Sequence, residues 1–170
     1  SNVISGSGSN FIGGGGANAI NVGQFNGVIM GSNNAISGSS GNFNVIVGGG
    51  TNISGTDGNK VSDTSYAFIG GGLANHISAS TSYNTIINGG SAGYSPGSHG
   101  NLIDKTASYC TILNGDANQL TNATAVTGIT FTTNYGMMYG YQNTISSGTG
   151  TVAGTATQTY TVNYANILGG

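Results

Sequence analysis

The chain lacks most of the residues on which soluble enzymes and nucleic-acid-binding proteins depend. It contains no Arg, no Glu and no Trp, with a single Cys, a single Pro, two Lys and four Asp. A net charge of −2 without a basic cluster excludes the electrostatic surface that nucleic acids require. One Cys excludes a disulfide framework, and no apolar run is long enough to span a bilayer. We therefore expect no nucleic-acid partner and no membrane insertion by this segment.

The few titratable residues are too scattered for catalysis. General acid–base chemistry needs paired titratable groups, whereas His76 and His99 are far apart and the Asp residues are dispersed. His76 is expected on the outer, solvated side of a strand. Cys110 occupies a position that Asn fills in other repeats, so we expect a small buried filler and not a nucleophile. The chain is predicted not to be an enzyme, with no catalytic residues, no metal site and no cofactor.

What the chain does contain is a short repeat, Asn-x-aliphatic, whose first five copies recur every eight residues. Self-similarity at a fixed short period is the signature of a repeat architecture. The copies are Asn2-Ile4, Asn10-Ile12, Asn18-Ile20, Asn26-Val28, Asn34-Ile36, Asn44-Ile46, Asn59-Val61, Asn75-Ile77, Asn84-Ile86, Asn101-Ile103, Asn118-Leu120 and Asn143-Ile145.

Two alternating kinds of octad make one coil of about sixteen or seventeen residues, so the chain holds about eight two-stranded coils. The predicted fold is all-β, a parallel β-solenoid, and coils stacked at ~4.8 Å would give a rod roughly 38 Å long. Side chains alternate along a strand, so the Asn and aliphatic rows both face the interior. Buried Asn must be hydrogen-bonded, and we expect the stacked amides to bond to one another. Glycines after each strand supply the tight corners.

The second kind of octad opens with an aromatic residue, and the resulting stripe is predicted to face outward. A continuous exposed apolar stripe is unusual in a monomer and marks an interface. Packing three stripes around an axis would supply the core that a thin coil lacks, so we predict a parallel homotrimer; the alternative is that the rings fold over their own corners. The predicted trimer-interface residues are Phe25, Phe43, Tyr66, Phe68, Tyr83, Tyr109 and Tyr135.

Three insertions interrupt the octads, near 91–100, 121–133 and 146–162, within a single repeat domain covering 1–170. The two later insertions are predicted to be β-hairpins or extended flaps. Loops on a rigid scaffold are the usual place for recognition, and aromatic side chains there suit stacking on sugar rings. The candidate ligand-binding residues are Tyr94, His99, Phe131 and Tyr160.

Units such as Ser65-Tyr66-Ala67-Phe68-Ile69-Gly70-Gly71-Gly72 and Asn75-His76-Ile77-Ser78 give the chain a family resemblance. It resembles the β-roll heads of trimeric autotransporter adhesins and the Gly/Asn-rich repeat regions of phage tail fibres. The resemblance implies a parallel homotrimer, outside a cell or on a virion, that binds a surface. Both ends run through the repeat without a capping coil, so we expect a segment of a longer fibre.

The sequence-based hypothesis is therefore an extracellular or virion fibre or adhesin segment that attaches to a surface glycan or another cell-surface receptor. One alternative is a passive structural filament or matrix protein. Another is an ice-binding solenoid, which would need a flat, regular Thr or Asn array that the outward positions do not provide. A left-handed β-helix acyltransferase would need a six-residue period and a catalytic His in a cleft.

Overall fold

The structure, a computed structural model, describes residues 1–50, 58–79, 82–89, 100–105, 107–122, 129–134, 136–141, 143–147, 158–163 and 165–169. These residues form nineteen short strands and no helix. Sheet A consists of β1 (Val3–Ile4), β3 (Ala19–Ile20), β5 (Ala35–Ser37), β7 (Lys60–Ser62), β9 (His76–Ala79), β11 (Leu102–Lys105), β14 (Gln119–Asn122) and β17 (Thr144–Ser147). Sheet B consists of β2 (Phe11–Ile12), β4 (Gly27–Ile29), β6 (Val45–Val47), β8 (Phe68–Ile69), β10 (Thr85–Ile86), β13 (Thr111–Asp116), β16 (Met137–Tyr141) and β19 (Asn166–Leu168). Sheet C consists of β12 (Ala107–Ser108), β15 (Ile129–Asn134) and β18 (Gln158–Asn163).

Strand pairing confirms the parallel β-solenoid. Every described strand pair is parallel, and the chain alternates between sheets A and B, so each strand pairs with the equivalent strand one coil later. In the first coils the register step is sixteen residues, as in Val3↔Ala19 and Ala19↔Ala35. Equivalent octads therefore lie on top of one another, as the repeat predicts.

The aliphatic residue of each octad forms the core. Ile20, Ile36 and Ile77 of sheet A are fully buried, as are Ile46 and Ile86 of sheet B. Burial of each such side chain stabilises the fold by roughly 1.5–3 kcal/mol. The predicted inward phase of the Asn-x-aliphatic unit is confirmed, because the Asn residues of the interior coils are also buried.

The Asn residues that precede the strands of sheet A, buried in the interior coils, form an unbroken hydrogen-bonded column. The Oδ1 atom of each accepts the main-chain N–H of the Asn one coil later, at N···O distances of 2.9–3.1 Å. The column runs through Asn2, Asn18, Asn34, Asn59, Asn75, Asn101, Asn118 and Asn143. Each link joins a side chain to the backbone and thereby fixes the register between coils.

The other half of each amide closes the corners. Asn75 Nδ2 donates to the Gly71 carbonyl of its own coil at 3.0 Å and to the Gly89 carbonyl of the next coil at 2.9 Å. Amide-to-amide bonds are secondary, as between Asn75 Nδ2 and Asn59 Oδ1 at 3.2 Å. The expectation of amides stacked on one another was therefore incomplete. Because a main-chain corner offers carbonyls at a fixed place, it is the principal partner of the side-chain NH₂ group.

A column of glycines makes these corner carbonyls reachable. Gly72 and Gly89 have φ values of 83° and 88°, in the region that favours glycine. A Cβ atom on Gly72 would overlap the Gly89 carbonyl oxygen of the next coil, and one on Gly89 would overlap the Gly115 carbonyl oxygen. Coils can therefore stack at strand spacing only if this position has no side chain.

The equivalent Asn column in sheet B is interrupted. Asn10, Asn26 and Asn44 are linked as in sheet A, but the next position is Ala67, whose N–H still donates to Asn44 Oδ1 at 2.9 Å. Cys110 fills the same position two coils later, is fully buried, and donates its N–H to Asn84 Oδ1 at 3.1 Å. Burial raises the pKa of the Cys110 thiol. The prediction of a small buried filler is thus confirmed.

Sheet C corrects the prediction for the two later insertions. β15 and β18 pair in parallel, over Ile129↔Gln158 to Asn134↔Asn163, and β15 also pairs with β12. β14 pairs with β11 and β17, so the described parts of 121–133 and 146–162 do not form antiparallel hairpins. The hairpin prediction was wrong, because alternating Thr and small residues suit a third solenoid strand equally well. The later coils have three strands and not two.

We expect Asn75→Ala to lower the free energy of unfolding by about 3–5 kcal/mol, since unsatisfied buried groups cost roughly 1–3 kcal/mol each. The substitution removes the acceptor of the Asn101 N–H and the donor to the Gly71 and Gly89 carbonyls. Chemical denaturation would measure the change. Asn21→Ala is the control, because Asn21 is exposed and its side chain accepts a surface hydrogen bond from the Ser5 hydroxyl group. Its free energy of unfolding should change by no more than ~0.5 kcal/mol. Equal losses for both variants would contradict a structural role of the column.

Candidate assembly surface

In most described coils, the residue before the buried Asn position lies at a corner whose backbone is left-handed. At the corners that lead into sheet A this residue is small, as in Ala17, Asn33 and Ala74, with φ values of 54°, 58° and 54°. At the corners that lead into sheet B it is aromatic in every described coil from the second onward, with φ between 54° and 67°. These residues, here called the aromatic column, are Phe25, Phe43, Tyr66, Tyr83 and Tyr109.

Bulky residues rarely adopt this left-handed conformation. It costs an L-amino acid roughly 1–2 kcal/mol relative to the right-handed region. The corners of sheet A show that Ala or Asn satisfies the same backbone geometry. The aromatic side chains are therefore not required by the corner itself, and strained positions of this kind concentrate at functional surfaces.

The five rings stack along the rod. Neighbouring ring centroids are 4.8–5.1 Å apart, and the ring planes differ by only 4–8°. Each residue remains about half exposed, with fractions between 45% and 51%. Since each inner ring has both faces against its neighbours, the exposed part of the column consists of ring edges.

This geometry combines both interpretations of the aromatic octad. The rings lie over their own corners, which was the alternative to an interface, and they also form a continuous exposed stripe. A sugar ring would stack on an aromatic face, and the inner faces of this column are occupied. Ring edges instead suit edge-to-face contacts with other aromatic or apolar side chains.

Phe68 belongs to a different part of this surface. It lies on strand β8, in register with Val45 and Thr85, and it is half-buried. The prediction grouped Phe68 with Tyr66 on one strand face, whereas the structure places Tyr66 at the corner. The interface prediction for Tyr135 lies outside the described residues.

The outer side of sheet B extends the apolar surface beyond the aromatic column. The residue that follows each buried aliphatic of sheet B is large and apolar in several coils, and sequence analysis missed this row. Ile29, Ile87 and Tyr139 are 40%, 46% and 48% exposed. We call the apolar outward residues of sheet B the apolar face: Phe11, Ile29, Val45, Val47, Phe68, Ile87, Leu113, Met137, Tyr139 and Leu168. Its signal in the sequence is an apolar pair, such as Val28-Ile29, where strict alternation would place a polar second residue.

The outer side of sheet A is mostly polar by contrast, although Val3 and Leu102 also lie in its outward row. It carries Lys60, Gln119 and Thr144 as exposed residues, beside a row of hydroxyl groups that includes Ser62. His76 is half-buried here, and its Nε2 atom lies 3.1 Å from Ser62 Oγ. His76 therefore lies on the outer side of its strand, as expected, but it is only partly exposed to solvent, because Ser62 of the preceding coil is close enough to bond the imidazole.

Two of the four predicted ligand-binding residues are brought together. Phe131 and Tyr160 are register partners on the adjacent strands β15 and β18 of sheet C. Tyr94 and His99 lie outside the described residues. Spacing alone did not indicate the pairing of Phe131 and Tyr160, since they are far apart in the sequence; the pairing follows from the parallel register of sheet C.

Comparisons with protein-family models, curated proteins and solved structures found no match. None of the described residues belongs to a helix that could cross a membrane. Within the same residues, His, Cys, Asp and Glu side chains form no group of three or more that could hold a metal ion. The contrast between the mostly polar side and the apolar side of the rod is therefore the feature that bears on function.

We expect Tyr83→Asn to lower the free energy of unfolding by about 1–2 kcal/mol, because it removes two ring contacts worth roughly 0.5–1.5 kcal/mol each. Asn is tolerated in the left-handed region, so the corner itself should remain. Near-ultraviolet circular dichroism and thermal melting would measure the loss of stacking. Tyr83→Phe keeps the ring and should melt like the original protein; identical behaviour of the two variants would show that stacking contributes nothing.

Proposed function

We propose that this chain is a rod-forming segment of an extracellular or virion fibre that assembles as a parallel homotrimer and attaches to a cell-surface ligand. The observation that carries the proposal is the aromatic column, in which strained, half-exposed rings replace the small residues that suffice at the opposite corners. The column borders the apolar face, so the two surfaces are contiguous along the rod.

The size of this surface supports assembly. Eight strands at ~4.8 Å spacing give a length of about 38 Å, and the corner plus strand adds a width of ~13 Å. The product, about 500 Å², is an upper bound on the apolar area, because Thr85 and Thr111 interrupt the row. A contiguous apolar patch of a few hundred Å² is of the size that marks an interaction site on a protein surface. Three copies related by an axis along the rod would enclose their strips in one shared core. Parallel copies would also meet at the same coil spacing, ring edge against apolar side chain.

The low charge of the chain favours other copies of the same chain as its partners. The chain carries a net charge of only −2, so two copies repel one another weakly, and none of the charged residues belongs to the aromatic column or the apolar face. A strongly charged partner would find little complementary potential on this surface. A second and third copy of the chain present the apolar ring edges and aliphatic side chains that the strip requires.

Recognition of the target is assigned to the inserted segments. The inner faces of the aromatic column are covered, so glycan stacking needs other aromatic residues. Tyr94, His99, Phe131 and Tyr160 are the candidates, and the register of Phe131 with Tyr160 places two of them on neighbouring strands. In a chain with so little charge, a neutral glycan suits this site better than an ionic one.

A passive filament is the second candidate, since a rod with an apolar face would also serve a matrix. Ice binding is less well supported, because the outward row of sheet B reads Val45, Phe68, Thr85 and Thr111 in successive coils and is chemically irregular. A binding experiment distinguishes these two functions, because only an adhesive fibre should attach to a cell-surface ligand.

We expect light scattering on the purified chain to give the mass of three chains, and Ile87→Asp to shift the population to monomers. Ile87 is already 46% exposed in one chain, so the charged variant should still fold, and circular dichroism would verify this. Gln119→Asp, on the exposed side of sheet A, is the matched control and should remain trimeric. A soluble monomer or a dimer for the unmodified chain would overturn the trimer.

For attachment, we expect deletion of residues 91–99, or replacement of both Phe131 and Tyr160 by Ser, to reduce binding to glycan arrays or target cells. The trimer's melting temperature should change little after the deletion. The Ile87→Asp variant should bind more weakly through loss of multivalency. If binding survived all of these changes, recognition would lie elsewhere and the inserted segments would be structural.

A further inference from the structure

The chain contains three Asn-Gly dipeptides, at Asn26-Gly27, Asn88-Gly89 and Asn114-Gly115. We propose that Asn88 is a site of spontaneous, fold-controlled deamidation, whereas the fold protects Asn26. The product would break the hydrogen-bonded column that joins the coils. Asn88 would then act as an ageing site that limits the lifetime of the rod.

The reaction uses the main-chain nitrogen of the following residue. This nitrogen loses its proton and attacks the side-chain amide carbon of Asn; a C–N bond forms, and the side-chain nitrogen leaves as ammonia. Water then opens the cyclic imide to aspartate or to isoaspartate. Glycine favours the attack because it has no Cβ to obstruct the approach. No oxidant or cofactor is required.

At Asn26 both reacting groups, the side-chain amide and the Gly27 nitrogen, are held in place by hydrogen bonds. The side chain is 2% exposed, and its Nδ2 atom donates to the Val22 and Gly41 carbonyls at 2.9 and 3.1 Å. Its Oδ1 atom accepts the Asn44 N–H at 2.9 Å. The attacking nitrogen, that of Gly27, donates to the Asn44 carbonyl at 2.8 Å. Cyclisation would have to break several buried bonds at once.

Asn88 differs from Asn26 in its exposure and in its place in the coil. It lies outside the strands, after β10, and its side chain is exposed. Gly89 belongs to the glycine column, where steric overlap with the Gly115 carbonyl excludes any side chain. The coil thus requires a glycine after position 88 but not an Asn at it, since Gly71 and Met30 occupy the equivalent place in other coils.

Asn114-Gly115 is expected to deamidate at an intermediate rate. Asn114 is exposed, but both residues belong to β13 and pair with Tyr139 and Gly140 of β16. Parallel pairing restricts the rotation that cyclisation needs. The expected order of reaction is therefore Asn88 first, Asn114 next and Asn26 last.

Isoaspartate at position 88 would disturb the column directly. The Asn88 carbonyl accepts Asn101 Nδ2 at 3.3 Å, and the Gly89 carbonyl accepts Asn75 Nδ2 at 2.9 Å. In isoaspartate the chain passes through the former side chain, so it gains one backbone atom. The former Asn88 carbonyl becomes a free carboxylate outside the chain. Two amides of the sheet A column would lose their fixed acceptors.

The first test is incubation of the intact purified protein at mildly alkaline pH, followed by peptide mapping with mass spectrometry. We expect Asn88 to deamidate at least about tenfold faster than Asn26, the ratio given by a barrier difference of ~1.4 kcal/mol. In the urea-denatured chain the three sites should deamidate at similar rates. Faster or equal reaction at Asn26 or Asn114 in the folded protein would overturn the proposal, as would the same rate ratio in urea.

The second test separates backbone extension from added charge. Aged protein should melt at a lower temperature than fresh protein, whereas aged Asn88→Gln should not, because Gln cyclises far more slowly. Fresh Asn88→Asp carries the new charge on an unaltered backbone and should melt like the fresh original. If fresh Asn88→Asp melted as low as aged protein, or ageing left the melting temperature unchanged, the proposed effect on the column would be wrong.

Discussion

The structure depends on one interaction, the bond between a buried Asn amide and a main-chain corner. Each Asn of sheet A uses its Oδ1 atom to hold the backbone of the following coil and its Nδ2 atom to hold corner carbonyls. A buried amide is costly unless both halves are bonded, and here the backbone supplies the partners at every coil. The glycine column is a consequence, because any side chain at that corner would occupy the space of the next carbonyl.

This constraint explains why the two corners of a coil have different uses. The same left-handed backbone occurs before both Asn positions, and Ala or Asn fills it on one side. On the other side the chain places Phe or Tyr in five successive described coils. Because stacked rings cover one another's faces, the resulting surface presents edges and suits packing against another protein surface. The polar outer side of sheet A then remains for solvent.

The same constraint also creates a weakness. A glycine that cannot be replaced makes any Asn before it chemically reactive, and at position 88 that Asn is exposed. The buried Asn26-Gly27 pair in the same chain is protected by the hydrogen bonds that the solenoid supplies. Stability and ageing are therefore governed by the same set of corner carbonyls.

The sequence by itself determined the parallel solenoid, the inward phase of Asn and Ile, and the small filler at Cys110, because a strict period leaves one way to bury the aliphatic row. It did not reveal that sheet C runs through two of the inserted segments, since a solitary Thr-rich strand has no period of its own. The tertiary structure alone decided that Tyr66 lies at a corner while Phe68, two residues later, lies on a strand. It also decided that Phe131 and Tyr160 are register partners, since partners in a parallel sheet are set by coil stacking and not by distance along the chain.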